Sequence, residues 1–339
     1  MFKIQVLLSL LFLVLIANAQ TSSQNTFCLQ TFNGYGPIYA PRVSERTEKF
    51  TQEMKSQGCA VIQLQEIWNH SQIQIVKDNL GQNYQIYSPN ETNRFGLMSL
   101  SKVKTLSTEF HIFEFNSDGG LLDGGRELAG VEKGFAVQTL SLYSGHPVSF
   151  INLHLHPASQ AVRLAQIYEL IKWSLARESQ DPLVLSGDFN MAPGSLEYRF
   201  LTESLRLQDS VLQKWGQYPL HFCTYCSVNP LGWLSDDRIF DYVFYSKSAP
   251  LKPANVQVDM KGLKDAPYSD HYGLRVDFSY FPQASDEGST AQEQAQLVED
   301  LTAVMKVIAQ QYTPASRIYN ELGWWRQELS QNHSVALHQ

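Results

Sequence analysis

The sequence predicts an α/β protein in which two β-sheets pack face to face and helices cover them from outside. Short runs of apolar or alternating residues recur from Phe27 to Phe278, as sheet strands require. Two helical patterns stand between these runs, at residues 42–57 and 159–178. Many strands combined with few helices favour sheet packed on sheet, with the helices outside.

The strand prediction rests on segments that either alternate apolar and polar residues or are apolar throughout. In chain order they read TFCLQTF, AVIQLQE, NYQIYSP, FGLMSLS, FAVQTLSL, VSFINLHLH, LVLSGDF, IFDYVFY and YGLRVDF. The helical stretch 42–57 combines charges with an apolar face. The stretch 159–178 places apolar side chains at helical spacing, namely Val162, Ala165, Ile167, Leu170 and Ile171.

The N-terminus has the pattern of an export signal. Lys3 is followed by the apolar run IQVLLSLLFLVLI and then by ANA, a small-x-small cleavage pattern. This apolar run is shorter than a typical membrane-spanning helix, and no later apolar run looks longer. Residues 1–19 are therefore predicted to be a signal peptide of a secreted or periplasmic protein. The following residues, 20–281, are long enough for one large domain with a full core.

The composition changes after this domain. Residues 282–296, PQASDEGSTAQEQAQ, are interpreted as a linker, and residues 297–339 as a helical tail. The tail has two apolar stripes at helical spacing, formed by Leu297, Leu301, Val304, Met305 and Ile308 and by Ile318, Leu322, Trp325 and Leu329. Docking on the parent domain is the main interpretation. A membrane or partner surface is the alternative, because Trp324 and Trp325 are adjacent.

Charge and cysteine content restrict the possible partners and compartment. A net charge of −7 gives no electrostatic footprint for tight nucleic-acid binding, although a nuclease needs only a local basic groove. An exported protein can form disulfides, and Cys223 and Cys226 are the favoured pair because they are close in sequence. For Cys28 and Cys59, buried free thiols and a cross-strand bridge both remain open.

Polar side chains suited to chemistry repeatedly end or interrupt the apolar runs. They are Asn33, Glu66, His154, Asp188, Asn190, Asp241, Asp270 and His271. One such residue would be an ordinary solvated or structural group, but the joint pattern predicts that they converge on one edge of the sandwich. Asp188 and Asn190 are expected to share a face of an extended chain, while Phe189 points into the core.

These residues lie in an ordered series of motifs that resembles the endonuclease/exonuclease/phosphatase superfamily. The motifs are TFNGYG, IQLQEIW, INLHLHP, SGDFNMAPGS, RIFDYVFY and YSDHYGL, within roughly residues 26–280. The resemblance implies a four-layer α/β/β/α sandwich that hydrolyses phosphoric esters. A monomer is expected.

The resemblance also implies a divalent metal, usually Mg²⁺, with Mn²⁺ as the alternative. Glu66 offers a hard oxygen ligand, which suits Mg²⁺ because this ion keeps several waters and takes few protein carboxylates. Asn33 matches the family's neighbour to the metal. Asp270 is expected to contact the metal or its waters.

Phosphoryl transfer further needs an activated water and donors for the phosphoryl oxygens, and the strand-end residues offer both. Asp188 is expected to orient the water and Asn190 to hold a phosphoryl oxygen. His271 is the predicted proton-transfer or phosphate-stabilising group. The resemblance makes Asp241 its orienting partner. His154 is expected to contact the phosphoryl group.

Several stretches resemble the neutral sphingomyelinase branch of the superfamily, including NLHLHP, YELIKW and LVLSGDFNMAPGSLEYRFL. FCTYCSVNPLGW resembles that branch's threonine–aromatic–aspartate…asparagine loop, which assigns Asn229 to substrate binding. Cys226 stands where that loop would have aspartate. Lys133 is a candidate phosphate contact, with a solvated lysine as the alternative, and His156 is either a substrate contact or structural.

The leading hypothesis is an exported, Mg²⁺-dependent phosphodiesterase of the sphingomyelinase or phospholipase C type, which acts on a phospholipid and contacts a membrane surface. A nuclease of the deoxyribonuclease-I-like branch is second, because no cluster of Lys and Arg with interleaved aromatic residues surrounds the motifs. A two-metal phosphatase is rejected, since its remaining motifs are absent. A non-catalytic binding module would predict gaps in the catalytic set, and the sequence shows none.

Overall fold

The computed structural model describes residues 26–37, 39–89, 94–116, 132–142, 145–179, 181–280, 289–312 and 316–331. The predicted signal peptide, residues 1–19, lies outside these ranges. The strands are β1 (Thr26–Asn33), β2 (Val61–Gln65), β3 (Gln85–Tyr87), β4 (Met98–Ser101), β5 (Thr105–Ile112), β6 (Gly134–Ser141), β7 (Pro147–His154), β8 (Leu183–Asp188), β9 (Leu207–Asp209), β10 (Asp241–Ser246), β11 (Leu251–Asp259) and β12 (Gly273–Tyr280). The helices are α1 (Val43–Gln57), α2 (His70–Leu80), α3 (Gln160–Ala176), α4 (Leu196–Ser204), α5 (Ser210–Trp215), α6 (Ala291–Gln311) and α7 (Arg317–Gln331).

The described strands form two mixed six-stranded sheets. The first has the order β11-β12-β1-β2-β4-β3, and the second has the order β5-β6-β7-β8-β10-β9. Each sheet contains one central parallel pair, β1 with β2 and β7 with β8. In both sheets the carboxyl ends of this pair lie side by side, so residues that follow these strands meet at one edge.

The two sheets pack face to face through an apolar core. It includes Leu29 and Val276 from the first sheet and Phe150, Val184 and Val243 from the second. Helices α1 and α2 cover the outer face of the first sheet, and α3 and α4 cover that of the second. The predicted four-layer α/β/β/α sandwich is therefore confirmed.

Two of the helices match the sequence prediction closely, and shorter ones were not predicted. Helices α1 and α3 fall within the expected stretches 42–57 and 159–178. The shorter α2 begins where the Asn69 side chain accepts a hydrogen bond from Gln72 N at 2.8 Å. Its eleven residues are too few for a clear helical period, which explains why the helix was not predicted.

The C-terminal tail docks on the outer helices of the second sheet. Leu301 and Val304 of α6 and Leu322 of α7 are fully buried in that layer. Helix α6 packs on α3 and α4, and Arg199 binds Asp300 at 2.9 Å across the contact. Among the described helices, none combines the length and hydropathy of a membrane span.

The boundary between the predicted linker and tail is wrong in one respect. Helix α6 begins at Ala291, inside the stretch 282–296 that was interpreted as linker. The Thr290 hydroxyl accepts from Glu293 N, and the Glu293 carboxylate accepts from Thr290 N, which forms a capping box. Because this first turn is polar, the sequence pattern did not indicate that the helix begins here.

All four cysteines form disulfides. Cys28 in β1 is bonded to Cys59, just before β2, so the bridge reading of this pair is the one observed. Cys223 is bonded to Cys226 in the loop that precedes β10, as predicted.

Candidate active site

Three polar residues form a row across neighbouring strands of the second sheet. His154 ends β7 and Asp188 ends β8, and the parallel register places them opposite each other. Asp241 begins the antiparallel β10 and also lies opposite Asp188. Strand register alone therefore brings together side chains that are far apart in sequence, as the strand-end pattern predicted.

The first sheet contributes two more residues to the same edge. Asn33 ends β1, and Glu66 directly follows β2. Asn33 Nδ2 donates to Asp188 Oδ2 at 3.0 Å, which joins the two sheets at this edge. Glu66 Oε1 lies 3.9 Å from His154 Nε2, and His154 Nε2 lies 3.5 Å from Asp188 Oδ2.

The segment Gly187–Asn190 differs locally from the extended chain that was predicted. Phe189 is buried in the core as expected. Asn190, however, has a φ of 50°, and its backbone N–H donates to Asp188 Oδ1 at 3.0 Å. Its Nδ2 donates to the Leu155 carbonyl at 3.1 Å, so the amide anchors the chain after β7. A role for Asn190 in holding a phosphoryl oxygen stays a prediction.

Gly187 is required by the close approach of two backbones. Its φ is 147°, a conformation that side-chain-bearing residues rarely adopt. A Cβ atom at this position would overlap the Leu153 carbonyl of β7. Glycine therefore lets β7 and β8 approach just before His154 and Asp188.

His271 completes the arrangement from the loop before β12. Its Nδ1 lies 2.8 Å from Asp241 Oδ2, and its Nε2 lies 3.7 Å from Asp188 Oδ2. The Tyr225 ring packs edge-on against the imidazole at 5.1 Å. Ser269 Oγ accepts a hydrogen bond from His271 N at 3.1 Å, which fixes the main chain. The predicted orientation of His271 by Asp241 agrees with this geometry.

Burial and neighbouring charges set the protonation of these groups. Burial raises the pKa of Asp188 to about 7, with Asp241 adding to the rise and His271 opposing it. Burial alone would lower the pKa of His271, but the Asp241 and Asp188 carboxylates outweigh it and hold that pKa well above 6.5. A carboxyl that titrates near neutral pH, beside a cationic imidazole, is suited to proton transfer.

The surroundings of Glu66 suit a bound cation. Its Oε2 is buried and has no hydrogen-bond partner among the described residues. Burial raises the pKa of Asp270 to about 6, and repulsion from Glu66 contributes to the rise. Glu66 is also held at a φ of 56°, an unfavourable conformation that is typical of functional sites. A divalent cation would relieve both the unpaired oxygen and the repulsion.

A second group of possible ligands overlaps this set. Ligand atoms of Asp188, Asp241 and His271 all lie within 4.8 Å of one another. The short Asp241–His271 hydrogen bond already uses one atom of each residue. Proton transfer by Asp241 and His271 stays a prediction, as does a cation held by Glu66, Asn33 and Asp270. Asn33 Oδ1 also accepts a hydrogen bond, from Tyr35 N at 2.9 Å. Asp188 lies between the two groups.

The three candidate substrate contacts have different surroundings. Lys133 is buried just before β6, with its Nζ 5.8 Å from the centre of the Trp68 ring. His156 Nδ1 accepts from Ser159 N at 2.9 Å, at the start of α3, which is a structural contact. Asn229 Nδ2 donates to Ser269 O at 2.8 Å. Substrate binding by these three residues stays a prediction.

The sequence interpretation missed Arg46, a buried residue of α1. Its guanidinium donates to the carbonyls of Gly34 at 3.2 Å, Tyr35 at 2.6 Å and Tyr268 at 2.7 Å. It therefore ties the loop after Asn33 to the loop before Asp270. No pattern distinguishes this arginine from the exposed charges of its helix, because its partners are main-chain carbonyls.

Comparisons with known proteins agree with this arrangement. Residues 25–271 match the model of the Endonuclease/Exonuclease/phosphatase family. The inositol phosphosphingolipids phospholipase C of Saccharomyces cerevisiae is 26% identical over 261 residues, which cover 67% of this chain and 54% of that protein. The chain thus spans about half the length of this relative, whose similarity fits the sphingomyelinase branch.

Solved structures share the fold at low sequence identity. An endonuclease/exonuclease/phosphatase from Bacteroides vulgatus has a TM-score of 0.61 and 15% identity, covering 76% of this chain and 100% of its own. D. rerio TDP2, complexed with a single strand DNA product, has a TM-score of 0.58 and 16% identity, covering 75% and 99%.

Members of the matched family are hydrolases that generally depend on a divalent metal, and the strand-end cluster supplies a candidate site for one. Phosphodiester substrates fit both the phospholipase relative and the DNA-bound neighbour. The family match covers most of the chain, including every residue of the row across the second sheet. The chain therefore belongs to the endonuclease/exonuclease/phosphatase family.

Proposed function

We propose that the protein is an exported, monomeric phosphodiesterase that releases the phosphorylated head group of a phospholipid, with Mg²⁺ as cofactor and Mn²⁺ as the alternative ion. The observation that carries the proposal is the row of His154, Asp188 and Asp241, completed by His271. In the proposed mechanism these residues act as a proton acceptor, a cationic donor and a third polar group at one buried edge.

The residues divide the chemistry between them. Asp188, with a pKa of about 7, accepts a proton from the attacking water. His271, held by Asp241, donates from Nε2 to the phosphoryl group or to the departing oxygen, and His154 contacts another phosphoryl oxygen. Water adds to phosphorus while the bond to the lipid alcohol breaks, which yields a phosphomonoester and the alcohol. A cation at Glu66, Asn33 and Asp270 would supply charge neutralisation.

A lipid substrate is supported by exposed apolar residues that adjoin the catalytic pair. Trp233 is 86% exposed, and Val228 is 76% exposed. Trp233 N donates to the hydroxyl of Tyr225 at 2.7 Å, and the Tyr225 ring packs on His271. An exposed tryptophan so close to the site suits contact with a membrane surface, because its ring is apolar and its N–H is polar. The yeast phospholipase C relative supports the same substrate class.

A nuclease is the second candidate, and the DNA-bound TDP2 structure favours it. It ranks below the lipid hypothesis because a net charge of −7 disfavours extended contact with a polyanion. The yeast phospholipase C is also more similar to this chain in sequence than D. rerio TDP2 is, at 26% against 16% identity.

Export is part of the proposal and rests on the signal pattern of residues 1–19. The two disulfides support it, since such bonds persist mainly in oxidising compartments. Fractionation of cells that express the full chain, with N-terminal sequencing of the product, tests export. A product that keeps Met1 and stays in the cytosol would contradict it.

The substrate class is tested by comparing lipid and DNA substrates in separate reactions. The purified protein receives Mg²⁺ with sphingomyelin vesicles, vesicles containing an inositol phosphosphingolipid, or plasmid DNA, each with an EDTA control. We expect metal-dependent release of a phosphorylated head group and intact plasmid. His271→Ala is expected to abolish the release, whereas His111→Ala, which removes a surface histidine paired with Glu109, should leave it unchanged. Nicked plasmid with intact lipid would replace the lipid hypothesis with the nuclease.

A further inference from the structure

The two members of the catalytic pair come from different sheets, and one short segment contacts both. Asp241 begins β10 of the second sheet, and His271 precedes β12 of the first. The segment from Cys223 to Asn229 lies between them. It hydrogen-bonds to Phe240 and Asp241 on one side and to Ser269 and Tyr272 on the other.

Thr224 is the central residue of this segment and is fully buried. Its Oγ1 accepts from Phe240 N at 3.0 Å and from Asp241 N at 3.1 Å. Its main-chain carbonyl accepts from Tyr272 N at 2.6 Å. A single residue therefore holds the backbone of Asp241 through its side chain and the residue after His271 through its main chain.

The neighbours of Thr224 strengthen the same connection. Tyr225 N and Arg238 N exchange hydrogen bonds with the carbonyls of the opposite residue, at 3.0 and 2.7 Å, which ties the segment to the approach to β10. The Tyr225 ring packs against the imidazole of His271. Asn229 Nδ2 reaches Ser269 O, two residues before His271. All of these contacts act on the loops that carry the pair.

The Cys223–Cys226 disulfide closes a tight ring around Thr224 and Tyr225. Both cysteines are buried, and Asn229 N donates to the Cys226 carbonyl at 2.9 Å. A four-residue ring restricts the backbone conformations of the two enclosed residues, so it favours the one that presents the Thr224 hydroxyl to β10.

We propose that Thr224 is a positioning residue that sets Asp241 relative to His271, and that the Cys223–Cys226 disulfide holds Thr224 in place. The proposal rests on the proposed function only in that the Asp241–His271 pair performs the hydrolysis. The hydrogen bonds of the Thr224 hydroxyl go to main-chain amides and not to the imidazole. It acts through the backbone of Asp241, which fixes the carboxylate against His271 Nδ1.

Paired substitutions test the hydroxyl of Thr224. Thr224→Val keeps the shape but removes the acceptor of two amides, whereas Thr224→Ser keeps the acceptor. With bis(p-nitrophenyl) phosphate as a general phosphodiester, we expect Thr224→Val to lower kcat by about tenfold or more, by analogy with the loss of a group that orients a metal ligand. We expect KM to change little and Thr224→Ser to restore most of kcat. Circular dichroism checks that each variant is folded.

A second readout does not depend on the substrate. The Nδ1 proton of His271, hydrogen-bonded to Asp241, should give a downfield proton NMR signal that is absent from His271→Ala. We expect the signal to weaken or vanish in Thr224→Val and to persist in Thr224→Ser. Loss of activity on every diester with this NMR pattern intact would reject the proposed function but support the positioning role. Wild-type kcat and an unchanged signal in Thr224→Val would overturn the proposal.

The chain offers a matched control for the disulfide. Cys223→Ala with Cys226→Ala should lower kcat and weaken the His271 signal in the same way as Thr224→Val. Cys28→Ala with Cys59→Ala removes the other disulfide, which joins β1 to the residue before β2, and should lower stability while leaving kcat near that of the wild type. Equal loss of kcat in both double variants would show a general effect of stability and would overturn the role of the Cys223–Cys226 bond.

Discussion

His271 Nδ1 lies 2.8 Å from Asp241 Oδ2, although the two residues are carried by different sheets. The contact is buried, so water does not compete for it. It fixes the tautomer and the orientation of the imidazole, and it leaves Nε2 directed towards Asp188 at 3.7 Å. The Asp241–His271 hydrogen bond is thus also a contact between the two sheets of the sandwich.

Asp241→Asn is expected to lower kcat by about 10²–10⁴-fold, the usual contribution of a positioned acid or base. The amide keeps the shape of the carboxylate but no longer stabilises the imidazolium, and it can favour the other tautomer of His271. Steady-state kinetics measure the effect, with whichever substrate the comparison of lipid and plasmid DNA shows to be cleaved. Asp259→Asn is the control, because Asp259 is a strand-end aspartate whose Oδ2 accepts a hydrogen bond from Gln30 Nε2 at 2.8 Å, whereas the Asp241 carboxylate bonds His271. Equal losses in both variants would contradict a special role for Asp241.

The strand-end pattern predicted that His154, Asp188, Asp241 and His271 converge on one edge of the sandwich. The pairing of Asp241 with His271 was implied by the resemblance to the superfamily. The parallel pairing of β7 with β8, which the structure shows, brings His154 opposite Asp188. The contacts of Asn190 were not predictable, since its left-handed backbone turns the amide to the Leu155 carbonyl. The buried position of Arg46 was not predicted either. Its partners are main-chain carbonyls, which the spacing of side chains in the sequence cannot indicate.

The sequence also predicted the C-terminal tail only in part. Its apolar stripes predicted docking, and Leu301 is fully buried against the outer helices. The start of α6 was misplaced because the capping box of Thr290 and Glu293 lies in a sequence that is otherwise polar. Local composition therefore gave the wrong boundary, whereas periodicity gave the correct buried face.

Glu66→Gln is expected to weaken Mg²⁺ binding by at least about tenfold, since even groups around a metal site have effects of this size. The amide removes the negative charge while keeping the volume of the side chain. Isothermal titration calorimetry of the metal-free protein with Mg²⁺ measures the change. Glu109→Gln, at an exposed glutamate that pairs with His111, is the control and should bind as the wild type does. Unchanged affinity in Glu66→Gln would place the cation elsewhere, with the Asp188, Asp241 and His271 group as the alternative.

Burial raises the pKa of Asp259 and of Glu203 to about 7, so both contribute to the pH dependence of the metal-free protein. The site contributes through the raised pKa values of Asp188 and Asp270, about 7 and about 6. Because both values exceed the ordinary 3.8, the stability they contribute is full below about pH 4 and is lost as pH rises through 6 and 7. Mg²⁺ binding should show the opposite trend, becoming tighter from pH 5.5 to 8 with release of protons. Denaturant unfolding without metal and calorimetry in two buffers of different ionisation enthalpy measure the two trends. Binding that is independent of pH would exclude these carboxylates from the site.

Leu301→Ala is expected to lower the free energy of unfolding by about 2–5 kcal/mol, as at other fully buried leucines. The change opens a cavity between α6 and the outer helices of the domain. Urea unfolding followed by circular dichroism measures it. Trp324→Ala, at a side chain of α7 that is 66% exposed, should change the value by less than about 0.5 kcal/mol. If Leu301→Ala also had no effect, the tail would not be part of the cooperative fold.

Trp233→Ala is expected to weaken binding to phospholipid vesicles while leaving hydrolysis of bis(p-nitrophenyl) phosphate close to that of the wild type. The side chain is 86% exposed, and it is the backbone N–H of Trp233 that donates to the Tyr225 hydroxyl, so loss of the side chain should not disturb His271. Vesicle co-sedimentation measures binding, and the soluble diester reports on the chemistry separately. Trp324→Ala provides the comparison, because Trp324 is the exposed tryptophan of the tail. Weaker binding in Trp233→Ala alone would place the membrane at the catalytic edge, and weaker binding in Trp324→Ala alone would place it at the tail.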